Sequence, residues 1–359
     1  MSESVGRWIR RAAIAAALAL LIAAVLGFGY EQLGRWQDEQ HPFRIGRAVD
    51  VGGRTLNISC AGQGKPSVIF ESGGGGYGGY GWRFVQSEIA KTTTACWYDR
   101  AGEGWSDPAP GPRSSTTITT DLHDLLQRTP VPSPYVLVGH SIGGEYIRIF
   151  TARFPSEVAG VVLVDSTHPE QREPAMMLSP VARLPIPVRR LLCVVLPVAE
   201  RFGVIRFLMR KAPVDVPLEF SSEDTAAARA IRNQRVKALE AEATQGCAAT
   251  KEGAVRPDMG SGNPEVDQAA TNAGTLGDRP LVVLTAGKYW KPNDPGAAQE
   301  IEAFHKTWIN QLQPDLARLS THGKQIVVAN SDHGMPQEAP EAVAKAVEDV
   351  VMQVRQPQN

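Results

Sequence analysis

The chain has 359 residues, 43% of them hydrophobic and 21% charged, with a formal net charge of -1 at pH 7. That balance excludes a disordered chain, and near-neutral charge without a basic stripe interleaved with aromatics excludes electrostatic recognition of nucleic acid. The four cysteines, Cys60, Cys96, Cys193 and Cys247, are scattered without a C-x-x-C pair, and neither an H-E-x-x-H motif nor an internal repeat occurs, so no metal or cofactor is expected.

At the N-terminus, Arg7, Arg10 and Arg11 precede an uncharged stretch from Ala12 to Gly29, just long enough to cross a bilayer as a helix. We read residues 1–29 as a retained membrane anchor. The alternative is an export signal, cleaved at the small-x-small site Gly27-Phe28-Gly29 to release a secreted protein. Positive charge before the span, with Arg35 alone just after it, predicts a cytoplasmic N-terminus and an extracytoplasmic domain, where disulfides persist. Residues 30–44 read as a polar linker.

Arg47 to Val51 and Arg54 to Cys60 flank Gly52-Gly53, the signature of a β-hairpin. Strand and helix then alternate. Ser67 to Glu71, Thr94 to Tyr98, Tyr135 to Val138 and Gly160 to Asp165 read as strands; Trp82 to Ala90, Thr117 to Arg128 and Glu145 to Phe154 read as helices. Short apolar runs such as Val161 to Val164 suit strands covered on both faces, so residues 45–167 predict the first part of an α/β core with a mostly parallel sheet flanked by helices. The alternation lapses over 168–277, which reads as a helical lid insertion running from the Pro-rich Leu184 to Met209 into a helical Thr225 to Ala243. Within it, Leu191 to Val198 reads as core packing of the lid; the alternative is a membrane-seeking stretch flanked by arginines 189, 190, 201 and 206. The core resumes over 278–359 with strand Leu281 to Thr285, a long helix from about residue 297 to Leu312, strand Gln325 to Val328 and a last helix. In that helix Val343, Val347, Val350 and Val354 mark the face that docks on the sheet.

Gly139-His140-Ser141-Ile142-Gly143 stands between a predicted strand and a predicted helix. A turn sharp enough to push one side chain out of a sheet brings two backbones together and favours residues without a Cβ on either side of it, so Ser141 is the candidate nucleophile. A serine hydroxyl needs a base in hydrogen-bond reach and a third group to orient that base. His333, in the loop after Gln325 to Val328, returns to the carboxyl ends of the strands, where reactive groups of such sheets collect; His168 is the reserve. His123 and His305 fall on amphipathic helices and read as solvated, and His140 points away from its neighbour's hydroxyl. For the acid, Asp165 at its strand's tip is preferred to Asp294, which stands well down a loop between Pro292 and Pro295. Ser72-Gly73-Gly74-Gly75-Gly76 follows a strand directly and supplies backbone amides for a developing oxyanion, with the amide of Ile142 as second donor. Tyr77, Tyr80, Trp82 and Trp105 form either an aromatic pocket rim for apolar acyl groups or ordinary core.

These pieces, in this order, resemble the α/β-hydrolase fold family over Ile45 to Val354, apart from the lid. Val49-Asp50-Val51-Gly52-Gly53, Tyr98-Asp99-Arg100-Ala101-Gly102 with Gly104-Trp105-Ser106, and Val164-Asp165-Ser166-Thr167-His168-Pro169 look like a membrane-tethered bacterial branch of it. The resemblance implies Ser141 as nucleophile, His333 as base, Gly74 and Ile142 as oxyanion donors, and Asp165 in an acid position seen in some haloalkane dehalogenases. Those enzymes carry aspartate at the elbow, so serine argues against dehalogenation or epoxide opening. Asp332 departs from the family's usual glycine before the histidine, which sets a second carboxylate beside the base. The family's strand order also implies a disulfide between Cys60 and Cys96. The expected activity is hydrolysis of a carboxylic ester in a small-molecule acyl substrate, through a Ser-His-Asp triad and an acyl-enzyme. The alternatives are an aminopeptidase or acyltransferase of the same fold, or a non-catalytic ligand-binding sensor with a vestigial triad.

Overall fold

The computed structural model describes residues 2–40, 43–74, 78–109, 113–172, 174, 185–210, 214, 226–234 and 264–356. Eight strands form one sheet: β1 (Arg47–Asp50), β2 (Thr55–Ala61), β3 (Ser67–Glu71), β4 (Ala95–Tyr98), β5 (Tyr135–His140), β6 (Val158–Val164), β7 (Leu281–Ala286) and β8 (Gly323–Val328), in the order β1-β2-β4-β3-β5-β6-β7-β8. β1 and β2 pair antiparallel around Gly52-Gly53, and β2 is antiparallel to β4. From β4 to β8 all neighbours are parallel. The register sets Cys60 opposite Cys96, and the two form the expected disulfide.

Helices cover the sheet because each carries one apolar face. The helix Ser115–Gln127 begins in a capping box in which Ser114 accepts from the Thr117 amide and Thr117 Oγ accepts from the Ser114 amide, satisfying two donors that a helix start leaves open. It buries Leu122, Leu125 and Leu126 in a cluster with Leu137 of β5 and Ile147 and Phe150 of the helix Ile142–Arg153. The C-terminal helix Pro340–Arg355 inserts Val343, Val347 and Val350, all fully buried, against the sheet. Each such side chain removed from water stabilises by about 1.5–3 kcal/mol. The helix Pro264–Asn272, inside the expected lid, buries Val266 and Ala270 against Ile118, Ile142, Tyr146 and Ile149.

Two compact units emerge, one of residues 45–190 with 237–359 and one of residues 1–44 with 191–236. Three sequence expectations are corrected. Residues 30–44 are no linker: the N-terminal helix runs without a break from Ser2 to Gln40, because Glu31, Gln32, Leu33, Arg35 and Gln37 are good helix formers and the first proline is Pro42. Leu191 to Val198 lies in the helix Ile186–Arg201 but is not packed as lid core, since Leu191 and Val194 are more than half exposed. The long helix near residue 300 changes character: Pro295–Thr307 is α-helical and Trp308–Leu312 is a π turn. Of the expected Thr225 to Ala243, residues 226–234 are helical and the rest lies outside the described residues.

Candidate active site

β5 ends at His140 and the next helix begins at Ile142, so Ser141 occupies the corner with φ 53° and ψ -129°. The corner is tight. A Cβ on Gly139 would lie 2.6 Å from the Gly143 carbonyl oxygen, and one on Gly143 would lie 2.5 Å from that of Ser72. Glycine at both places lets the helix start against the strands. Among the described residues only Ser141 and Asp165 (φ 41°) are non-glycines with positive φ, and these two strained backbones stand at adjacent strand ends.

The structure brings Ser141, His333 and Asp165 into one hydrogen-bonded line. His333 Nε2 is 3.0 Å from Ser141 Oγ, and His333 Nδ1 is 2.7 Å from Asp165 Oδ2. Asp165 is buried at the end of β6, while more than half of the His333 side chain is exposed. The other carboxylate oxygen, Oδ1, accepts from the Ala286 amide at 2.9 Å and from the Trp308 indole at 2.8 Å. Burial pushes the Asp165 carboxyl up, but hydrogen bonding and charge from His333, with the Ala286 and Trp308 donors, outweigh it and hold the group below its ordinary value. An ionised Asp165 accepts a hydrogen bond from Nδ1–H, which keeps the proton on that nitrogen and leaves Nε2 to accept from the serine hydroxyl.

The remaining candidates lie elsewhere. Asp294 caps the helix Pro295–Thr307 by accepting from the Ala297 amide at 2.8 Å. His168 is buried with Nε2 3.3 Å from Asp315, and burial pushes its pKa down. His123 and His305 are not simply solvated: His123 stacks on Phe154 and bonds Glu157, and His305 bonds the Ala286 carbonyl. His140 donates from Nε2 to the carbonyl of His333 at 2.7 Å; burial first, then the charge on His333, push its pKa down to about 3. It is therefore a neutral donor that pins the loop carrying His333. Asp332 accepts from the Gly334 amide at 2.8 Å, so its carboxylate closes its own turn. Tyr80, Trp82 and Trp105 are buried, Trp82 stacked on Phe70 and Tyr80 edge-on to Trp105, which is core packing; Tyr77 lies outside the described residues.

Ile142 opens its helix, so its N–H is among those a helix leaves unpaired, and it adjoins Ser141. Gly74 is exposed in the loop after β3; Gly75 and Gly76 lie outside the described residues. The start of that loop is held by a buried guanidinium: Arg100 donates to the carbonyls of Ser72 at 2.6 Å and Gly73 at 2.7 Å while paired with buried Glu71 at 2.6 Å. Glu71 also accepts from Tyr98. Sequence reasoning missed Trp308, Ala286, His140 and Arg100 as parts of the site. Of these, Arg100 and His140 had a signal, Arg100 within Tyr98-Asp99-Arg100-Ala101-Gly102 and His140 within the elbow beside Ser141. Among the described residues no group of His, Cys, Asp and Glu could hold a metal ion.

The alpha/beta hydrolase family matches residues 68–346, and the chain belongs to it. An uncharacterized protein of Schizosaccharomyces pombe is 43% identical over 82 residues, which is 23% of this chain and 15% of that protein. The chain thus spans a small fraction of that curated relative's length. Among solved structures, a putative lipase from Acinetobacter baumannii superposes with a TM-score of 0.55 at 17% identity, over 92% of this chain and 97% of the other. A membrane phospholipase A, described as a bacterial virulence factor, gives a TM-score of 0.53 at 16% identity over 99% and 100%. These likenesses are of fold.

Proposed function

We propose that this hydrolase-family protein is a serine esterase anchored in a membrane. Ser141 attacks the carbonyl of a carboxylic ester, His333 takes the serine proton and returns it to the leaving alcohol, and Asp165 holds the imidazole in the required tautomer. The amides of Gly74 and Ile142 receive the oxyanion, and water then frees the acyl group through the same base. The observation that carries this reading is the unbroken hydrogen-bonded line from Ser141 through His333 to Asp165. Asp332 does not compete for the imidazole, being engaged with Gly334.

The N-terminal helix carries an 18-residue window of mean hydropathy 2.5 with none of it buried, which supports a membrane span. With Arg7, Arg10 and Arg11 before that stretch, the catalytic unit is assigned to the extracytoplasmic side. Residues 168–277 are assigned to a lid. The lipase and membrane phospholipase neighbours favour an acyl ester substrate. Purified full-length protein should hydrolyse members of a p-nitrophenyl ester panel graded by acyl length, and Ser141→Ala should lose about three orders of magnitude or more in kcat/KM. Turnover of an aminoacyl amide in preference to every ester would exclude the esterase reading.

A further inference from the structure

Two short helices of the smaller unit turn their apolar faces outward. In Ile186–Arg201, Leu191, Val194, Val195 and Val198 are 61, 68, 45 and 49% exposed. Their spacing is i, i+3, i+4, i+7, a single helix face. In Val204–Met209, Val204, Phe207 and Leu208 repeat the pattern i, i+3, i+4 and are 46, 50 and 70% exposed. A water-soluble domain buries such faces; here two consecutive helices present them.

The segment is fixed to the N-terminal helix. From Val5 onward the residues of that helix that are not fully exposed are Ala24, Gly27, Glu31, Gly34 and Asp38, at alternating steps of three and four, one face again. A Cβ on Gly27 would lie 2.5 Å from the Phe202 carbonyl oxygen and one on Gly34 would lie 2.7 Å from Arg206 Nε, so glycine permits the close approach. Arg206 bonds Glu31 at 2.9 Å and Asp38 at 2.9 Å, and Arg35 pairs with Glu200. Phe202 meets Phe28 edge-on, with ring centroids 6.5 Å apart. Phe202 thus sits against the last residues of the apolar stretch, which ends at Gly29, and Arg206 against the polar turns that follow.

We propose that Ile186–Met209 is a membrane-inserted element whose two apolar faces lie at the acyl–headgroup boundary of the bilayer that the N-terminal helix crosses. The inference rests on the proposed span. Lipid is favoured as the occupant because Phe202 and Arg206 hold these helices against the N-terminal helix where its uncharged stretch ends, and exposed apolar side chains of that helix, Phe28, Leu33 and Trp36, lie at the same level. Charge agrees: Glu31, Asp38 and Glu200 are paired with Arg35 and Arg206, while Arg201 and Arg210 are exposed, Arg210 lying over the Phe207 ring at 4.2 Å. Cationic heads beside apolar rings match an anionic headgroup layer.

The test places single nitroxide labels on full-length protein in vesicles of phosphatidylcholine and phosphatidylglycerol, in a Cys193→Ala, Cys247→Ala background that keeps the Cys60–Cys96 disulfide. Labels replace Val194 or Leu208, with Leu18 in the span and Ser87 on the hydrolase unit as references. Expected at both positions is oxygen accessibility like that at Leu18 and about fivefold or greater protection from a water-soluble nickel chelate relative to Ser87. Labels at Val194 and Leu208 as open to nickel as Ser87, with Leu18 protected, would overturn the inference and leave the span intact. Nickel access at Leu18 as well would remove both. Protection from both reagents, with spin–spin broadening that vanishes on dilution by unlabelled chain, would assign the face to a second copy and overturn the lipid assignment.

Discussion

The Trp308 indole donates to Oδ1 of Asp165 at 2.8 Å, which leaves Oδ2 of the same carboxylate for His333 at 2.7 Å. Trp308 reaches it from the first residue of the π turn that ends the helix Pro295–Thr307. Local widening of a helix is often found where a side chain must be re-aimed at a site.

Trp308→Phe removes one donor from the ionised acid. Asp165 is held below its ordinary 3.8, so the stability it contributes is present above that value and is lost as pH falls through the depressed one. With the donor gone that loss begins at higher pH. The acid limb of the kcat/KM profile should shift upward, and stability near neutral pH should fall by about 1.5–3 kcal/mol, measured by denaturant unfolding in detergent. An unchanged acid limb would show that the indole does not tune the acid.

Arg100 and Glu71 pair in a buried site whose guanidinium also holds the carbonyls of Ser72 and Gly73. Arg100→Met alone strands the carboxylate and should cost about 3–5 kcal/mol. Combining it with Glu71→Gln should recover most of that stability but leave the loop untethered, so that kcat stays about tenfold or more below wild type with KM little changed. Recovery of kcat together with stability would mean that the loop needs no tether.

Glu145 is fully buried in the helix that follows Ser141, both carboxylate oxygens without a hydrogen-bond partner among the described residues, and burial pushes its pKa up to about 7. A raised carboxyl pKa costs nothing while both states are protonated, below about 4.5, and destabilises increasingly as pH rises to about 7. Glu145→Gln should therefore be more stable than wild type by about 3 kcal/mol at pH 8 and no more stable at pH 4. Thermal melts at the two pH values read the difference directly.

The Cys60–Cys96 bond closes a loop with a sequence separation of 36 between neighbouring strands β2 and β4. Chain-entropy reasoning gives about 4 kcal/mol for a loop of that length. Cys60→Ala/Cys96→Ala should lose stability of that order, and peptide mapping of unreduced wild type should show neither thiol open to alkylation.

What could be read in advance, and what could not, follows from the range of each cause. The elbow is local: Gly139 and Gly143 stand beside Ser141 because the turn leaves no room for a Cβ, and that is visible in five residues. The parallel order of β3 to β8 was legible from alternating short apolar runs with helical patterns. The choice between Asp165 and Asp294 was not local, since both follow strands; what distinguishes them are donors 121 and 143 residues away in the chain, the Ala286 amide and the Trp308 indole. Propensity alone should have carried the N-terminal helix past Gly29, but the polar composition after it reads as linker until Arg206 is seen bound to Glu31 and Asp38. At Leu191 to Val198 the sequence offered both lid core and a membrane-seeking stretch and could not choose between them: an i, i+3, i+4, i+7 stripe has the same pattern whether it packs on a core or on lipid.

The most direct measurement is labelling of the full-length protein with a fluorophosphonate, followed by mass spectrometry of the modified peptide. An activated Ser141 should carry the adduct at one site per chain; Asp294→Asn should label as wild type does, and Asp165→Asn about a thousandfold more slowly. Folded wild type with no adduct at Ser141, or equal labelling of Ser141→Ala, would contradict the proposed chemistry.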